Sequence, residues 1–329
     1  MALKRIGVLT GGSDAPGFNP CVRAVVRRAL DLELEAVGIR HGFAGLITGE
    51  FIALTARSVG GVLGKGGTFL ETLPSPEFTT RRGQLEALRN LNEAEIDGLV
   101  VIGGDGSMRA ALTLHEQGFP VMGVPGTIDN DLSGTDMAIG VDTALNTALA
   151  AIDKIKDTAS SHQRAFLIEV MGRQSGFLAL MTGIAGGAEM VCIPEVPFEL
   201  DSVAETITQA YIKGKSHAIV VVAEGARYNA AAIARYIRER REAGNEEAGF
   251  TVRVSILGHI QRGGSPSAFD RLLATRLGAA AVQRLADGGR GEMVGLVGSE
   301  IVTTPLAQVI EKPKPIDMGM FRMAEVLAR

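Results

Sequence analysis

The chain has 329 residues, of which 46% are hydrophobic and 21% are charged, and its formal net charge is −4. This length allows two domains, and the slightly acidic balance excludes non-specific nucleic-acid binding as the main task. The apolar runs are too short to span a bilayer, and the first strand pattern begins without the long apolar region of a signal peptide. We therefore expect a cytoplasmic protein that has neither membrane nor nucleic-acid partners.

Apolar runs alternate with helical periodicity along the chain. Strands are predicted at 5–10, 35–40, 99–102, 121–124, 166–170, 190–193, 217–223, 252–257 and 292–298. Helices are predicted at 19–34, 80–93, from 108, 140–159, between 176 and 186, 201–213, 229–248, 267–286 and 319–328. The proline-containing stretch between the last strand and the last helix is expected to be irregular, and Leu85, Leu88 and Leu91 are expected to face inward. This alternation predicts an α/β fold with mainly parallel sheets covered by helices on both faces.

Two glycine-rich turns each join a predicted strand to a predicted helix, at 11–17 and 103–107. Such turns present backbone N–H groups and a helix N-terminus to phosphate, although each one alone also fits a plain tight connection. The second turn carries Asp105, which is either a helix N-cap or a ligand that holds Mg²⁺ through water.

A third turn follows the strand at 121–124 and carries Asp129 and Asp131 in what we expect to be an exposed loop. Alone it fits an Asx turn, but two carboxylates at a strand end can also divide proton abstraction and cation binding between them. Each of the three turns follows a predicted strand of a parallel sheet, so we expect all three at one sheet edge. Ligands of α/β sheets bind at that edge, beyond the carboxyl ends of the strands.

Basic side chains occur where an anion could bind. Arg23 and Arg27 are four residues apart on the first predicted helix and share a face, which fits either a solvated surface or an anion site. Arg173 follows the strand at 166–170, in a turn that begins the next helix.

Five motifs, taken together and in order, resemble those of bacterial, ATP-dependent 6-phosphofructokinases. They are Gly103-Gly104-Asp105-Gly106-Ser107, Pro125-Gly126-Thr127-Ile128-Asp129-Asn130-Asp131, Ser161-His162-Gln163-Arg164, Met171-Gly172-Arg173 and Gly258-His259-Ile260-Gln261-Arg262-Gly263-Gly264. The resemblance covers nearly the whole chain. It implies transfer of a phosphoryl group from MgATP to the 1-hydroxyl of fructose 6-phosphate, a step of glycolysis.

The resemblance also implies two Rossmann-like domains that exchange segments. The larger, nucleotide-binding domain would hold 1–138 and 251–303, and the smaller, sugar-phosphate-binding domain would hold 139–250 and 304–329. Family members form homotetramers, with active sites between domains that a neighbouring subunit completes.

The resemblance assigns roles residue by residue. Asp129 would be the base that removes the proton of the sugar hydroxyl, Thr127 would flank it, and Arg173 would face the transferring phosphoryl group. Asp105 would be the Mg²⁺-linked residue. The substrate contacts would be Thr127, Ile128, Asp129, Asp131, Met171, Gly172, Arg173, Glu224, His259 and Arg262, with Arg164 and Arg253 reaching the 6-phosphate from the adjacent subunit. The ATP contacts would be Gly12, Ser13, Gly104, Asp105, Gly106 and Ser107.

An effector site between subunits is a further implication of the resemblance. It would take a nucleotide or phosphoenolpyruvate. Its matching residues are Arg23, Arg27, Lys156, Glu189, Lys213 and Lys215.

This sequence departs from the family pattern at two positions. Ser13 replaces a glycine whose backbone approaches ATP phosphates, and Pro74 replaces an arginine that contacts the nucleotide. Proline removes both a cation and an N–H group, so we expect changes in nucleotide affinity and in the rate of phosphoryl transfer.

Three alternatives to an ATP-dependent phosphofructokinase remain. Pyrophosphate-dependent relatives tend to carry Asp at position 106 and Lys at position 126. Gly106 and Gly126 favour ATP, and both are expected to face open space. Lipid and NAD kinases share the Gly-Gly-Asp-Gly turn but lack the later motifs. A catalytically weak regulatory paralogue is the third alternative, prompted by Pro74.

Overall fold

The computed structural model describes residues 3–244 and 249–328. The strands are β1 (Arg5–Gly11), β2 (Glu35–Ile39), β3 (Phe51–Leu54), β4 (Gly98–Gly103), β5 (Val121–Pro125), β6 (Arg164–Val170), β7 (Met190–Cys192), β8 (Ala218–Ala223), β9 (Thr251–Ile256), β10 (Glu292–Val297) and β11 (Glu300–Pro305). The helices are α1 (Phe18–Asp31), α2 (Gly42–Thr48), α3 (Arg81–Glu93), α4 (Asp105–Glu116), α5 (Val141–His162), α6 (Phe177–Ala185), α7 (Leu200–Ile212), α8 (Ala230–Glu242), α9 (Ala268–Ala286), α10 (Leu306–Glu311) and α11 (Met318–Leu327).

The chain divides into two compact units. Unit 1 holds Met1–Thr143 and Arg262–Lys314, and unit 2 holds Ala144–Gln261 and Pro315–Arg329. The expected domains had the same pattern of exchanged segments, but their boundaries differ from these units at 139–143, at 251–261 and at 304–314. The reason is strand pairing and packing: β9 pairs with β6 in the sheet of unit 2, whereas α10 packs on α4 in unit 1.

Unit 1 is built on a seven-stranded sheet, with the order β11-β10-β5-β4-β1-β2-β3 among the described residues. The five central strands are parallel, and the edge strands β3 and β11 are antiparallel to their neighbours. The whole of β4 is buried, as its unbroken run of apolar residues and glycine predicts for a parallel strand that is covered on both faces. The carboxyl ends of β1, β4 and β5 lie side by side, because Gly11 pairs with Gly103 and Gly103 with Pro125.

Unit 2 is built on a four-stranded parallel sheet with the order β7-β8-β6-β9. The last residues of β8 and β9 lie next to the end of β6, with Ala223 beside Val170 and Ile256 beside Glu169. Its core contains the apolar residues of these strands together with α7 and α8, among them Val220, Ile207 and Ile233.

The main strands and helices predicted from the sequence are present, but four short strands and α-helices of the described residues were missed. These are α2, β3, β11 and α10, and the prediction of an irregular stretch after β10 was wrong. β11 forms a hairpin with β10 and ends at Pro305, which an edge strand tolerates because one side of its backbone needs no partner.

Leu85 was expected to face inward but is 49% exposed, because the buried face of α3 is formed by Gly83, Ala87 and Leu91, which are spaced four apart. Part of the helix predicted at 229–248 lies outside the described residues, and α8 ends at Glu242. No helix in the described ranges combines the length and the apolar character that crossing a membrane requires.

A buried carboxylate, Asp270 on α9, binds the start of α5 within unit 1. Its oxygens accept hydrogen bonds from the N–H of Gly140 at 2.9 Å, the N–H of Thr143 at 2.8 Å and the hydroxyl of Thr143 at 2.6 Å. Burial raises the pKa of this carboxyl, and the hydrogen bonds oppose that shift. Asp270 thus satisfies N–H groups that have no partner within their own helix.

We expect Asp270→Ala to lower the free energy of unfolding by about 1–3 kcal/mol, because buried donors lose their acceptor. Denaturant unfolding of the variant measures this difference. Asp287→Ala, at the exposed end of the same helix, is the control and should change stability by less than about 0.5 kcal/mol. Equal effects of the two substitutions would contradict the role assigned to Asp270.

Candidate active site

The two glycine turns of unit 1 pack against one buried side chain, Ser107. A β-carbon added to Gly11 would lie 2.7 Å from the Ser107 hydroxyl oxygen, and one added to Gly103 would lie 2.4 Å from it. Ser107 is the third residue of α4. The turns after β1 and β4 therefore meet at the N-terminus of a helix, where backbone N–H groups can bind phosphate.

The loop that follows β5 lies beside the second of these turns. A β-carbon on Gly104 would be 3.3 Å from the β-carbon of Thr127. The loop closes where the N–H of Thr127 donates to the carbonyl of Ile139 at 3.1 Å. The prediction that three turns lie at one edge of one sheet is confirmed.

The Asp129 loop is buried, so the prediction of an exposed loop was wrong. Asp129 is 9% exposed and Asn130 is 2% exposed. Asn130 has a positive φ of 50°, which asparagine tolerates better than most residues. Its side chain accepts from the N–H of Ala138 at 3.0 Å and donates to the carbonyl of Asp136 at 3.1 Å. Asn130 therefore satisfies main-chain groups that would otherwise be buried without partners.

Backbone contacts also fix Asp129 itself. Its N–H donates to the hydroxyl oxygen of Thr127 at 3.1 Å, and the intervening Ile128 is buried. A carboxylate held by its own main chain in a site with little water is suited to act as a general base.

Asp105 is the first residue of α4, and Gly104 rather than Asp105 is the N-cap. Its carboxylate pairs with Arg109 one turn later at 2.9 Å, and both side chains are about half exposed. Such a surface pair is weak, so the carboxylate is accessible to a cation.

Among the described residues, no group of three or more His, Cys, Asp or Glu side chains is arranged to hold a metal. A single carboxylate fits Mg²⁺, which usually takes one or two carboxylates together with water and substrate phosphates. Asp105 is therefore suited to Mg²⁺ that arrives with a phosphate ligand.

The two glycines used to judge the phosphoryl donor have different surroundings. A β-carbon on Gly106 would meet nothing within 4 Å, whereas one on Gly126 would lie 2.5 Å from the Phe18 ring. Gly106 thus faces open space, as expected. The expectation for Gly126 was wrong, because this glycine packs against the core.

Several other candidate residues of unit 1 have defined surroundings. Gly12 is exposed and has a φ of 73°, and Ser13 beside it is half-buried. Arg262 forms an ion pair with Asp14, so its guanidinium binds the first glycine turn in this structure. Pro74 is exposed.

In unit 2, five of the candidate residues follow the carboxyl ends of β6, β8 and β9, namely Met171, Gly172, Arg173, Glu224 and His259. Glu224, after β8, accepts from the N–H of Gly172 at 3.2 Å and from the N–H of Arg173 at 2.7 Å. Arg173 has a positive φ of 49°. Glu224 therefore holds the turn that carries Arg173, a role that the sequence did not indicate. Met171 begins this turn, and His259 is exposed after β9.

Arg164 and Arg253 lie on neighbouring strands, β6 and β9. Arg253 is directly beside Phe166, two residues from Arg164. Because alternate residues of a strand face the same side, both arginines lie on one face of the sheet, close enough to bind one anion.

The candidate effector residues fall into two groups. Glu189, Lys213 and Lys215 line a cavity of about 460 Å³ within unit 2, where the Lys215 ammonium is 3.3 Å from a Glu189 oxygen. Lys156, in the same unit, donates to the carbonyl of Gly186 at 3.1 Å. The other two residues, Arg23 and Arg27, lie on α1 of unit 1.

Parallel sheets whose carboxyl edges bear glycine turns and carboxylates define an α/β enzyme of the doubly wound class. The sequence profile of the family described as "Phosphofructokinase" matches residues 5–285. The chain belongs to the phosphofructokinase family. It is 53% identical over 328 residues to "ATP-dependent 6-phosphofructokinase 1" of Thermus thermophilus, covering 99% of this chain and 100% of that protein.

Two solved structures have the same fold. Phosphofructokinase from Saccharomyces cerevisiae superposes with a TM-score of 0.84 at 36% identity over 94% of this chain, which spans 45% of the yeast chain. A pyrophosphate-dependent phosphofructokinase from Marinobacter aquaeolei gives a TM-score of 0.83 at 22% identity, over 96% of this chain and 86% of that one. The fold alone therefore does not select the phosphoryl donor.

We expect Gly225→Ala to reduce kcat about 100-fold, because its β-carbon would lie 1.7 Å from the carbonyl oxygen of Arg173 and force that turn to move. Steady-state kinetics and a melting curve measure the effect. Gly64→Ala, whose β-carbon would meet only ordinary contacts, is the control and should stay within about twofold of wild type. A fully active Gly225→Ala enzyme would show that the turn's position does not matter.

Proposed function

We propose that this chain transfers the γ-phosphoryl group of MgATP to the 1-hydroxyl of fructose 6-phosphate, giving fructose 1,6-bisphosphate and ADP. The observation that carries the proposal is the buried Asp129 at the same sheet edge as two glycine turns. A base for the sugar hydroxyl therefore lies next to the turns that can bind phosphates. The name of the Thermus relative supports both ATP and fructose 6-phosphate as substrates.

Asp129 accepts the proton of the sugar hydroxyl as that oxygen attacks the γ-phosphorus. The hydrogen bond from its N–H to the Thr127 hydroxyl fixes the main chain that carries this carboxylate. Arg173 faces the transferring group, where a guanidinium stabilises the charge on the equatorial oxygens. Glu224 supports this arginine by binding the N–H groups of its turn.

The N–H groups of the glycine turns bind the ATP phosphates. The proposed contacts are Gly12, Ser13, Gly104, Gly106 and Ser107. Asp105 would hold Mg²⁺ through water, and the bound ion would neutralise negative charge on the β- and γ-phosphates.

The proposed contacts of the sugar phosphate follow the residues that the resemblance assigns. Ile128, Asp131, Met171, Gly172, His259 and Arg262 are the proposed sugar contacts. Arg164 and Arg253 bind the 6-phosphate, and we assign them to the neighbouring subunit of a homotetramer. Their common face on adjacent strands supports a shared anion.

The remaining parts of the proposal concern regulation and location. Arg23, Arg27, Lys156, Glu189, Lys213 and Lys215 would bind a nucleotide or phosphoenolpyruvate as an effector. The sugar substrate is a glycolytic intermediate, so the proposal includes a cytoplasmic location.

Asp129→Ser should lower kcat by about 10²–10⁴-fold, because general-base loss typically costs that much, with the KM for fructose 6-phosphate changed only a few-fold. Coupled assays of initial rate measure both constants. Asp153→Ser, at an exposed position of α5, is the control. Near wild-type turnover of the Asp129 variant would exclude it as the base.

Wild-type enzyme should use ATP and show little turnover with pyrophosphate, because Gly106 leaves room for the rest of the nucleotide. Gly106→Asp should abolish ATP use through steric and like-charge repulsion of the phosphates. Gly106→Asn, of equal size without the charge, separates these effects and should be less impaired. Initial rates with each donor decide: robust wild-type activity with pyrophosphate and none with ATP would reverse the donor assignment.

A further inference from the structure

One residue from a distant part of unit 1, Lys314, binds the Asp129 loop from outside. Its main-chain N–H donates to the carbonyl of Asp131 at 3.1 Å. Its ammonium group donates to the carbonyl of Thr135 at 2.9 Å and to that of Asp136. Lys314 therefore connects the segment that leaves Asp129 with the segment that returns towards α5.

A continuous series of hydrogen bonds joins this lysine to the neighbour of Asp129. The carbonyl of Asp136 accepts from the Lys314 ammonium and also from the side-chain amide of Asn130. Asn130 directly follows Asp129 and is buried. A shift of Lys314 would move the carbonyl of Asp136, which is the acceptor that holds the side-chain amide of Asn130 in place.

The surroundings of Lys314 leave it little freedom. Burial lowers its pKa, while the carboxylates of Asp136 and Asp131 act in the opposite direction. A partly buried ammonium is tolerated where its donors find acceptors, and here those acceptors are loop carbonyls. Pro313 and Pro315 flank it and fix their own φ angles, which restricts the backbone on both sides.

A second lysine of the same segment provides the contrast. Lys312 is exposed, and its N–H donates to the carbonyl of Gln308, which extends the end of α10. The two lysines have the same charge and adjacent prolines, but they differ in their contacts with the loop.

We infer that Lys314 is a positioning residue for Asp129: its ammonium and its main-chain N–H fix the loop that presents this carboxylate. Lys314 is not among the proposed substrate, nucleotide or effector contacts. The inference rests on the proposed role of Asp129 as the base, and its effect reaches the reaction only through the loop.

The test compares Lys314→Met with Lys312→Met, which remove the same charge and keep most of the stem. Lys314→Met should lower kcat about 10–100-fold, since a displacement of about 1 Å at a reacting group can cost 100-fold. Its KM for ATP should change less than about twofold, because the hydrogen bonds of Lys314 hold the Asp129 loop. Lys312→Met should match wild type in both constants.

Hydrogen exchange supplies a readout that does not depend on activity. Amides of 127–138, followed by mass spectrometry of peptides, should exchange at least about tenfold faster in Lys314→Met and at the wild-type rate in Lys312→Met. A merely global loss of stability would instead accelerate exchange throughout unit 1.

Chemical rescue separates the ammonium from the shape of the side chain. Lys314→Cys should be as impaired as Lys314→Met, and aminoethylation of its thiol, which rebuilds a lysine-like ammonium, should restore most of kcat. Carboxamidomethylation, which adds a neutral group, should not. Because Cys21 and Cys192 are buried, the folded Lys314→Cys protein is alkylated at position 314.

The inference is overturned if Lys314→Met keeps the wild-type kcat and loop exchange, or if aminoethylated Lys314→Cys stays as impaired as the carboxamidomethylated form. Should Lys314→Met fail to fold, the two alkylated forms of Lys314→Cys decide the question. Wild-type protein inactive with ATP and fructose 6-phosphate would refute the proposed function. The exchange experiment would still decide whether Lys314 holds the loop.

Discussion

Ser107 occupies the space that side chains on Gly11 and Gly103 would need. Neighbouring strands lie about 4.8 Å apart, so the chain segments that leave β1, β4 and β5 must all turn within a narrow strip at the sheet edge. Glycine at the ends of β1 and β4 makes that possible, and the edge then presents main-chain N–H groups rather than side chains. The glycine turns proposed to bind phosphate and the carboxylate of Asp129 are neighbours because of this packing.

The central strands were predictable because parallel strands that are buried on both faces have unbroken apolar runs. The peripheral elements were not. β3 has four residues, α2 has seven, and both are too short for a reliable period. β11 lies in a segment whose prolines suggested irregular structure, yet its β-branched residues pair with β10, and an edge strand can end at Pro305. These short elements form because of their contacts with other parts of the fold, which local sequence patterns do not show.

At the candidate site, the sequence predicted which residues gather but not what surrounds them. The convergence of three turns followed from the position of each turn directly after a predicted parallel strand. The burial of Asp129 did not, because an Asp-Asn-Asp run suggests solvent, and only the structure shows how Asn130 satisfies the loop's main chain. Likewise, a glycine in a sequence does not reveal which space it faces, so Gly106 and Gly126 looked equivalent until the Phe18 ring was located.

The chain runs from unit 1 into unit 2 and back again, and this affects the order in which the two sheets can form during translation. The strands of unit 2, β6–β9, follow one another without interruption, whereas unit 1 receives β10 and β11 only after them. On the ribosome, the four-stranded sheet is therefore the first that can be completed. During that time β5 has an open edge where β10 will pair, and such an edge can bind another nascent chain. The order of translation thus makes the sheet that bears Asp129 the last to close.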